Sequence, residues 1–276
     1  MGETLTRVVV AIVVLPIILL LVYLGGWWFT GLIAVVVAIG VWEFYRLAEA
    51  KGLHPLKALG VTGAVGGCIA VGFMHPGLGI GIFVAAVVFI LAGEVGRGSV
   101  QGAIADSGVT ILGMIYVGVL LTHAVLLRNY PGFLDEKVGM FYVIIALGGS
   151  MLCDTAAYFV GRGFGRRKLI PRISPGKTIE GSIGGLLGGI GGVLLLKIIC
   201  DLFFFKTPIG WVNIAFLGLL ISISGMIGDL VESLVKRDAG AKNSGKIFPG
   251  HGGILDRLDS LLFTFPVTYY YVIAFT

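Results

Sequence analysis

The sequence predicts an all-α integral membrane protein that crosses the bilayer many times. Of its 276 residues, 57% are hydrophobic and only 13% are charged, whereas soluble domains carry about 25% charged residues. The chain also contains repeated apolar runs near the length of about 20 residues that a membrane-spanning helix needs. Glycine is abundant at 45 residues, which suits close packing between membrane helices.

About nine helices of spanning length are predicted from these runs. The run from Val8 to Leu24 follows a single positive residue, Arg7, and no small-residue cleavage site comes after it. It is therefore interpreted as a retained span and not as a signal peptide. The predicted spans are 7–24, 28–48, 58–74, 78–95, 108–127, 139–161, 179–204, 209–230 and 254–275.

Basic residues divide unequally between alternate loops when the N-terminus is placed inside. The outer loops then hold only Arg128, Lys137 and Lys206. The positive-inside rule therefore predicts a cytoplasmic N-terminus and an external C-terminus. The inner loops hold Arg46, Lys51, Lys57, Arg97, Arg162, Arg166, Arg167, Lys168, Arg172, Lys177, Lys236, Arg237, Lys242 and Lys246.

No long polar segment divides the chain, so residues 1–276 are expected to form one transmembrane domain. Residues up to about 130 are expected to be scaffold helices, and about 139–275 to be catalytic helices with cytoplasmic loops. Acidic residues support this division, because they gather near the inner ends of the last four predicted spans. These residues are Asp154, Glu180, Asp229, Glu232, Asp256 and Asp259.

In a membrane protein, the net charge of +5 indicates basic residues that set the topology and that bind anionic headgroups. It does not indicate nucleic acid as a partner. The three cysteines, Cys68, Cys153 and Cys200, all lie in apolar runs and form no CxxC pair. They are interpreted as small buried hydrophobic residues, not as a disulfide framework or a zinc site.

The densest polar segment runs from Ser233 to Asp259. Asp256 and Asp259 are three residues apart, which predicts that they share a helix face. Two carboxylates at a membrane helix end are costly unless a positive partner offsets them, and oxygen ligands favour magnesium. Asp229 is expected to approach from the preceding span.

Glycine with cationic side chains favours phosphate binding, and the candidates are Lys236, Arg237, Lys242, Ser244, Lys246, His251 and Arg257. As alternatives, Lys236, Arg237 and Lys242 taken singly are typical topology-setting charges, and Asp256, Arg257 and Asp259 are also typical of a structural ion pair.

A second polar segment begins at Asp154, about two turns or roughly 10 Å inside the sixth predicted span. An ionisable residue at that depth is a functional candidate. Ser174, Lys177 and Thr178 precede the seventh span, where a helix N-terminus would favour phosphate. Gly176-Lys177-Thr178 is not a P-loop, because Pro171 stands where that motif needs glycine.

The seventh predicted span carries overlapping GxxxG pairs. They predict tight helix packing, either within the chain or between subunits, so a homodimer is left open. The glycines are Gly181, Gly184, Gly185, Gly188, Gly189, Gly191 and Gly192.

The segment from Ser233 to Asp259 resembles the phosphatidate cytidylyltransferase family, also called CDP-diacylglycerol synthases. The matching stretches are S-L-V-K-R, K-N-S-G-K, P-G-H-G-G and D-R-L-D, and the D-x-x-A-Y-F-x-G and S-P-x-K-[ST]-x-E-G stretches also fit. Asn243 departs from the family, which usually has aspartate there. This departure puts a metal or catalytic role for that position in doubt.

The resemblance implies transfer of CMP from CTP to phosphatidate in the inner leaflet, with Mg2+ and with K+ as a second ion. It implies Asp229, Asp256 and Asp259 as metal ligands. It implies the same three aspartates, together with Lys246 and His251, as catalytic residues. It implies Lys177, Lys236, Arg237, Lys246, His251 and Arg257 as phosphate binders. The expected location is the plasma or inner membrane, with the active site facing the cytoplasm.

Two other functions remain open. A CTP-dependent lipid kinase of the polyprenol or phytol type would transfer the γ-phosphate with similar chemistry. An anion or lipid transporter would use the glycine-broken loops as a binding site. Against a transporter, no inverted repeat is visible and the polar residues gather at one face instead of the midplane.

Overall fold

A computed structural model describes residues 15–73, 75–130, 132, 135–245 and 252–275 of the chain. It is a predominantly helical, polytopic architecture. Among the described residues, seven helices are long and apolar enough to cross a membrane, and Leu15–Leu24 (α1) and Lys57–Gly72 (α3) are shorter apolar helices. The seven are Gly26–Ala50, Pro76–Arg97, Ala103–Arg128, Glu136–Phe164, Ile179–Phe203, Trp211–Asp238 and Leu255–Phe275.

We number the remaining elements in chain order. The first three of these are α2 (Gly26–Ala50), α4 (Pro76–Arg97) and α5 (Ala103–Gly113), and a π-helical turn over Met114–Val119 leads from α5 into α6 (Leu120–Arg128). They are followed by α7 (Glu136–Phe164), β1 (Lys168–Ile170), β2 (Ser174–Thr178), α8 (Ile179–Phe203), α9 (Trp211–Asp238), α10 (Leu255–Leu258) and α11 (Leu261–Phe275).

The chain folds as two compact units. The first contains the described residues up to Asn129 and those within Val235–Leu258, and the second contains those within Tyr130–Leu234 and Asp259–Thr276. Each unit is therefore built from two separate stretches of the chain.

The first unit packs around Tyr45 of α2, which is fully buried. The Tyr45 hydroxyl donates to the carbonyl oxygen of Thr110 at 2.6 Å. A Cβ at Gly60 would lie 1.9 Å from that hydroxyl, and one at Gly113 would lie 2.4 Å from the Tyr45 ring. Glycine at both positions therefore lets α3 and α5 approach the tyrosine closely.

Glycines on α8 form the contact with α7 in the second unit. A Cβ at Gly188 would lie 2.2 Å from the Ala156 Cβ, and one at Gly192 would lie 2.5 Å from Leu152. The interpretation of the glycine run as a packing surface is confirmed, and the partner is a helix of the same chain.

The predicted start of the seventh span at residue 179 is confirmed, but the residues before it form a strand that was not predicted. Ser174–Thr178 is strand β2, paired antiparallel with β1. The helix begins only at Ile179, and Thr178 caps it by accepting from the Gly181 N–H at 3.1 Å. Lys177 therefore lies on a strand. The cause is local: Pro175 lacks a backbone N–H and has a fixed φ, so it favours extended structure over a continuing helix.

The expectation that Asp256 and Asp259 share one helix face is wrong. Helix α10 ends at Leu258, and Asp259 and Ser260 form a turn before α11. The Asp259 carboxylate accepts from the backbone N–H of Ser260 at 2.7 Å. Such a local side-chain bond competes with helical hydrogen bonding, which explains the interruption.

The cysteines are unpaired, as predicted. Cys68 and Cys153 are buried and Cys200 is half-buried.

Candidate functional site

The second unit contains a group of three ionic side chains and one hydroxyl that we call the aspartate cluster: Asp154, Lys177, Asp229 and Ser260. The Lys177 ammonium lies 2.6 Å from Asp229 Oδ2, and about a quarter of each side chain is exposed (24% and 28%). Asp154 of α7 interacts electrostatically with both of these residues. The Ser260 hydroxyl donates to Asp154 Oδ2 at 3.4 Å. Strand β2 and helices α7 and α9 thus bring together three ionic residues that are far apart in the sequence.

Gly228 permits a close approach beside this cluster. A Cβ at Gly228 would lie 2.4 Å from the carbonyl oxygen of Asp259. Because Gly228 immediately precedes Asp229, the backbones carrying Asp229 and Asp259 run side by side. The structure therefore brings Asp259 to the same region as Asp229. Gly228, which has no side chain, allows this approach.

The carboxylates of the aspartate cluster could supply part of the ligands of a divalent cation, with substrate phosphates supplying others. Within the described ranges, no group of three or more His, Cys, Asp or Glu side chains could hold a metal ion. Magnesium, however, is usually bound through one or two carboxylates together with substrate phosphates and water. When Asp154 and Asp229 are both ionised, the Lys177 ammonium balances only one of their charges. The remaining negative charge suits a hard cation.

The first unit contains a different arrangement, which we call the loop cluster: Glu43, Lys236, Ser244, Gly253 and Asp256. Asp256 Oδ1 pairs with the Lys236 ammonium at 2.6 Å, and these side chains are only 9% and 13% exposed. Asp256 Oδ2 lies within hydrogen-bond distance of three donors: Ser244 N at 2.9 Å, Ser244 Oγ at 2.9 Å and Gly253 N at 2.8 Å.

Asp256 therefore organises the backbone around it. Its carboxylate has about four lone-pair sites, and four donors lie against it. A metal ion would reach Oδ1 only after Lys236 moved away. Gly253 and Ser244 flank the part of the chain with Lys246 and His251, which lie outside the described residues, so the predicted roles of those two stay predictions.

Glu43 of α2 belongs to the loop cluster but is absent from the residues predicted as functional. It is 2% exposed, and its carboxylate accepts from Ser244 Oγ at 3.1 Å, Ile254 N at 3.1 Å and Leu255 N at 2.9 Å. A carboxylate inside a predicted span is by itself a functional candidate. The sequence shows this carboxylate in Trp42-Glu43-Phe44, but it does not show which residues Glu43 contacts.

The other predicted phosphate binders lie outside these two clusters. Ser174 begins β2, and Thr178 caps α8. Arg237 is exposed at the end of α9 and donates to the Ala241 carbonyl at 3.4 Å. Lys242 and Arg257 are also exposed. Exposed cations of this kind fit either phosphate contacts or topology signals.

Comparison with known proteins identifies relatives that align with almost the whole chain. The chain is 35% identical to a phosphatidate cytidylyltransferase of Synechocystis, with 97% of this chain and 96% of the relative covered. It is 32% identical to the Bacillus subtilis enzyme of the same name, with 98% of each covered. For the Brucella suis enzyme of that name the identity is 35%, over 95% of this chain and 90% of the relative.

A family model described as the cytidylyltransferase family matches residues 5–275. That range covers nearly all of both units and every residue of the two clusters. The chain therefore belongs to the cytidylyltransferase family, and it is a nucleotidyltransferase.

Proposed function

We propose that this protein is a phosphatidate cytidylyltransferase, which transfers CMP from CTP to phosphatidate and releases pyrophosphate. Membership of the family supports this, together with relatives of that name that align over nearly their full length. The observation that carries the proposal is the aspartate cluster. Lys177 and Asp229 form a 2.6 Å ion pair, and Asp154 belongs to a helix long and apolar enough to span a membrane. With a divalent cation added, such a cluster would bring together two anionic reactants, one of them a lipid.

The reaction joins two phosphates and needs no strong protein base. An oxygen of the phosphatidate phosphate attacks the α-phosphorus of CTP and forms a new P–O bond. The bond from the α-phosphorus to the oxygen that bridges it to the β-phosphate breaks, and pyrophosphate leaves with that electron pair. The nucleophile is largely ionised near pH 7, because the second pKa of a phosphate ester is about 6. The protein's task is therefore to hold anions together.

The lysines are suited to that task. An ammonium has three N–H donors and no acceptor, so Lys177 can pair with Asp229 and still donate to a phosphate oxygen. Lys236 is held by Asp256 in a similar way. In each case the aspartate fixes the ammonium in position before the substrate arrives. Preorganised charge of this kind stabilises a transition state without a reorganisation cost at the moment of reaction.

Magnesium is the proposed cofactor, with potassium as a proposed second ion. We propose Asp229, Asp256 and Asp259 as its protein ligands, with Asp154 contributing charge. When bound, magnesium neutralises charge on the transferring and leaving phosphates. Support comes from the excess carboxylate charge of the aspartate cluster. For Asp256, support comes from the family resemblance of the D-R-L-D stretch, and binding there would require Lys236 to move to the substrate phosphate.

The proposed topology has nine spans, with the N-terminus in the cytoplasm and the C-terminus outside. The seven long helices together with α1 and α3 support this number. The unequal distribution of basic residues supports the orientation. In this arrangement the inner membrane holds the protein, and the active site faces the cytoplasm. CTP then arrives from the cytoplasm and phosphatidate from the inner leaflet.

The decisive experiment uses the purified protein with phosphatidate, Mg2+ and CTP labelled at either the α- or the γ-phosphorus. Label from the α-position is expected in the lipid product, and label from the γ-position is expected in pyrophosphate. Lipid labelled from the γ-position would instead identify a lipid kinase. Activity should disappear with excess chelator and return with added Mg2+. Full activity in the chelator would refute the magnesium proposal alone.

A further inference from the structure

We propose that Glu43 is a positioning residue, which fixes the ends of the segment from Ser244 to Leu255 so that the loop cluster can bind the phosphates of CTP. This inference rests on the proposed function, because it takes CTP as the ligand. It assigns a role in nucleotide binding to α2, a helix that carries none of the residues predicted as functional.

The contacts of Glu43 join two parts of the chain that lie about ten residues apart. On one side it accepts from the Ser244 hydroxyl at 3.1 Å. On the other side it accepts from the backbone N–H groups of Ile254 and Leu255, at 3.1 and 2.9 Å. Those N–H groups stand at the start of α10, where a helix leaves its first donors unsatisfied. One carboxylate thereby contacts both Ser244 and the start of the helix that carries Asp256.

The space around the carboxylate is shaped by glycine. A Cβ at Gly245 would lie 2.1 Å from Glu43 Oε1, and one at Gly253 would lie 2.3 Å from Oε2. Ile254 also lies against α2 one turn before Glu43, since a Cβ at Gly40 would be in ordinary van der Waals contact with its side chain at 3.7 Å. Gly245 and Gly253 are therefore seated directly on α2, with the carboxylate enclosed between them.

Ser244 transmits the effect of Glu43 to the charged groups. Its hydroxyl lies 3.1 Å from Glu43 Oε2 and 2.9 Å from Asp256 Oδ2. Asp256 in turn holds the Lys236 ammonium at 2.6 Å. Loss of the Glu43 contacts should therefore loosen the ammonium that we assign to phosphate binding, although Glu43 itself does not touch the substrate.

The test compares Glu43→Gln with Glu94→Gln. Glu94 is a matched control, because it is also a buried carboxylate of the first unit (7% exposed) and pairs with Arg97 at 2.8 Å, away from the loop cluster. In Glu43→Gln an amide NH2 group replaces one carboxylate oxygen. It then faces an N–H or O–H donor and cannot accept a hydrogen bond from it. Loss of a charge-assisted hydrogen bond is expected to weaken binding of labelled CTP with Mg2+ roughly tenfold or more. Glu94→Gln should bind CTP like the wild type.

Kinetics separate positioning from a general loss of structure. Glu43→Gln is expected to raise the KM for CTP and leave the KM for phosphatidate unchanged. Wild-type CTP binding in Glu43→Gln, or an equal loss in Glu94→Gln, would overturn the proposal. CTP binding is measured without phosphatidate. It therefore still decides the role of Glu43 if the wild type fails to move the α-label to lipid, a result that would refute only the proposed function.

A second pair of variants keeps the test decisive if Glu43→Gln does not fold. Gly253→Ala should push the carboxylate away and weaken CTP binding, and Glu43→Asp should weaken it by shortening the reach. A Cβ at Gly253 would lie 2.3 Å from Glu43 Oε2 and 2.4 Å from Ser244 Oγ, so it disturbs the same contacts as Glu43→Asp. The double variant should therefore lose less CTP binding than the sum of the two single losses. Simple addition of the two losses would show that the positions are independent and would contradict the proposal.

Discussion

At the scale of single residues, two of the aspartates predicted as metal ligands each form a short ion pair with a lysine. Asp229 pairs with Lys177 and Asp256 with Lys236, each at 2.6 Å. Their surroundings differ, because Asp256 is only 9% exposed and also accepts from backbone N–H groups. Asp256 therefore supports the fold of the loop cluster in addition to its proposed contact with the metal.

This difference predicts that Asp256→Asn loses stability as well as turnover. The substitution leaves the buried Lys236 ammonium without its counter-charge and turns one acceptor oxygen into a donor. Breaking a buried pair costs about 3–5 kcal/mol, so the thermal midpoint in detergent should fall clearly while turnover is abolished. Thermal unfolding and the α-label assay measure the two effects.

Asp238→Asn is the control for that substitution. Asp238 pairs with Lys51 at 2.7 Å, but the two side chains are 67% and 41% exposed, and exposed pairs contribute only about 0–1 kcal/mol. Its midpoint should stay near that of the wild type. An unchanged midpoint in Asp256→Asn would show that the carboxylate has no supporting role in the loop cluster.

At the scale of elements, glycine decides how closely α7 and α8 pack. The two helices meet through glycines on one face of α8. Gly191 lies away from that face, and a methyl group added there would meet no atom of a neighbouring element within 4 Å. Membrane helices gain little from apolar burial against one another, so close backbone contact supplies much of their association. The aspartate cluster depends on this contact, because Asp154 lies on α7 and Lys177 closely precedes α8.

Gly188→Ala should therefore destabilise the second unit. Its Cβ would lie 2.2 Å from the Ala156 Cβ, which is fixed to the α7 backbone and cannot rotate away. Overpacking of this kind costs about 1–3 kcal/mol, so the thermal midpoint should fall. Gly191→Ala adds the same methyl group in open space and should be neutral or stabilising, since alanine favours a helix by about 1 kcal/mol over glycine. Equal midpoints for both variants would refute the packing role.

At the scale of the whole molecule, the charge distribution predicts how the chain crosses the membrane. With nine spans and an internal N-terminus, a reporter at the C-terminus should be active only outside the cytoplasm, and one inserted after Gly240 should be active only inside. Gly240 lies beyond the last basic residues of α9. Activity of the C-terminal reporter in the cytoplasm would mean that one span has been miscounted.

The sequence by itself determined the membrane class, the approximate helix boundaries and the family. Apolar runs of spanning length predict helices wherever they occur, and the motif from Ser233 to Asp259 carries the family resemblance in one continuous stretch. The glycine face of α8 was also predictable, because its spacing follows the helical period.

Only the tertiary structure decided which residues meet. Asp154, Lys177 and Asp229 come from three separate elements, and no spacing in the sequence specifies that they converge. The strand at Ser174–Thr178 and the turn at Asp259 depend on local backbone bonds that outweigh the helical pattern. Glu43 makes the point most directly: its hydrogen bonds reach residues about two hundred positions away, and only folding brings them within 3.1 Å.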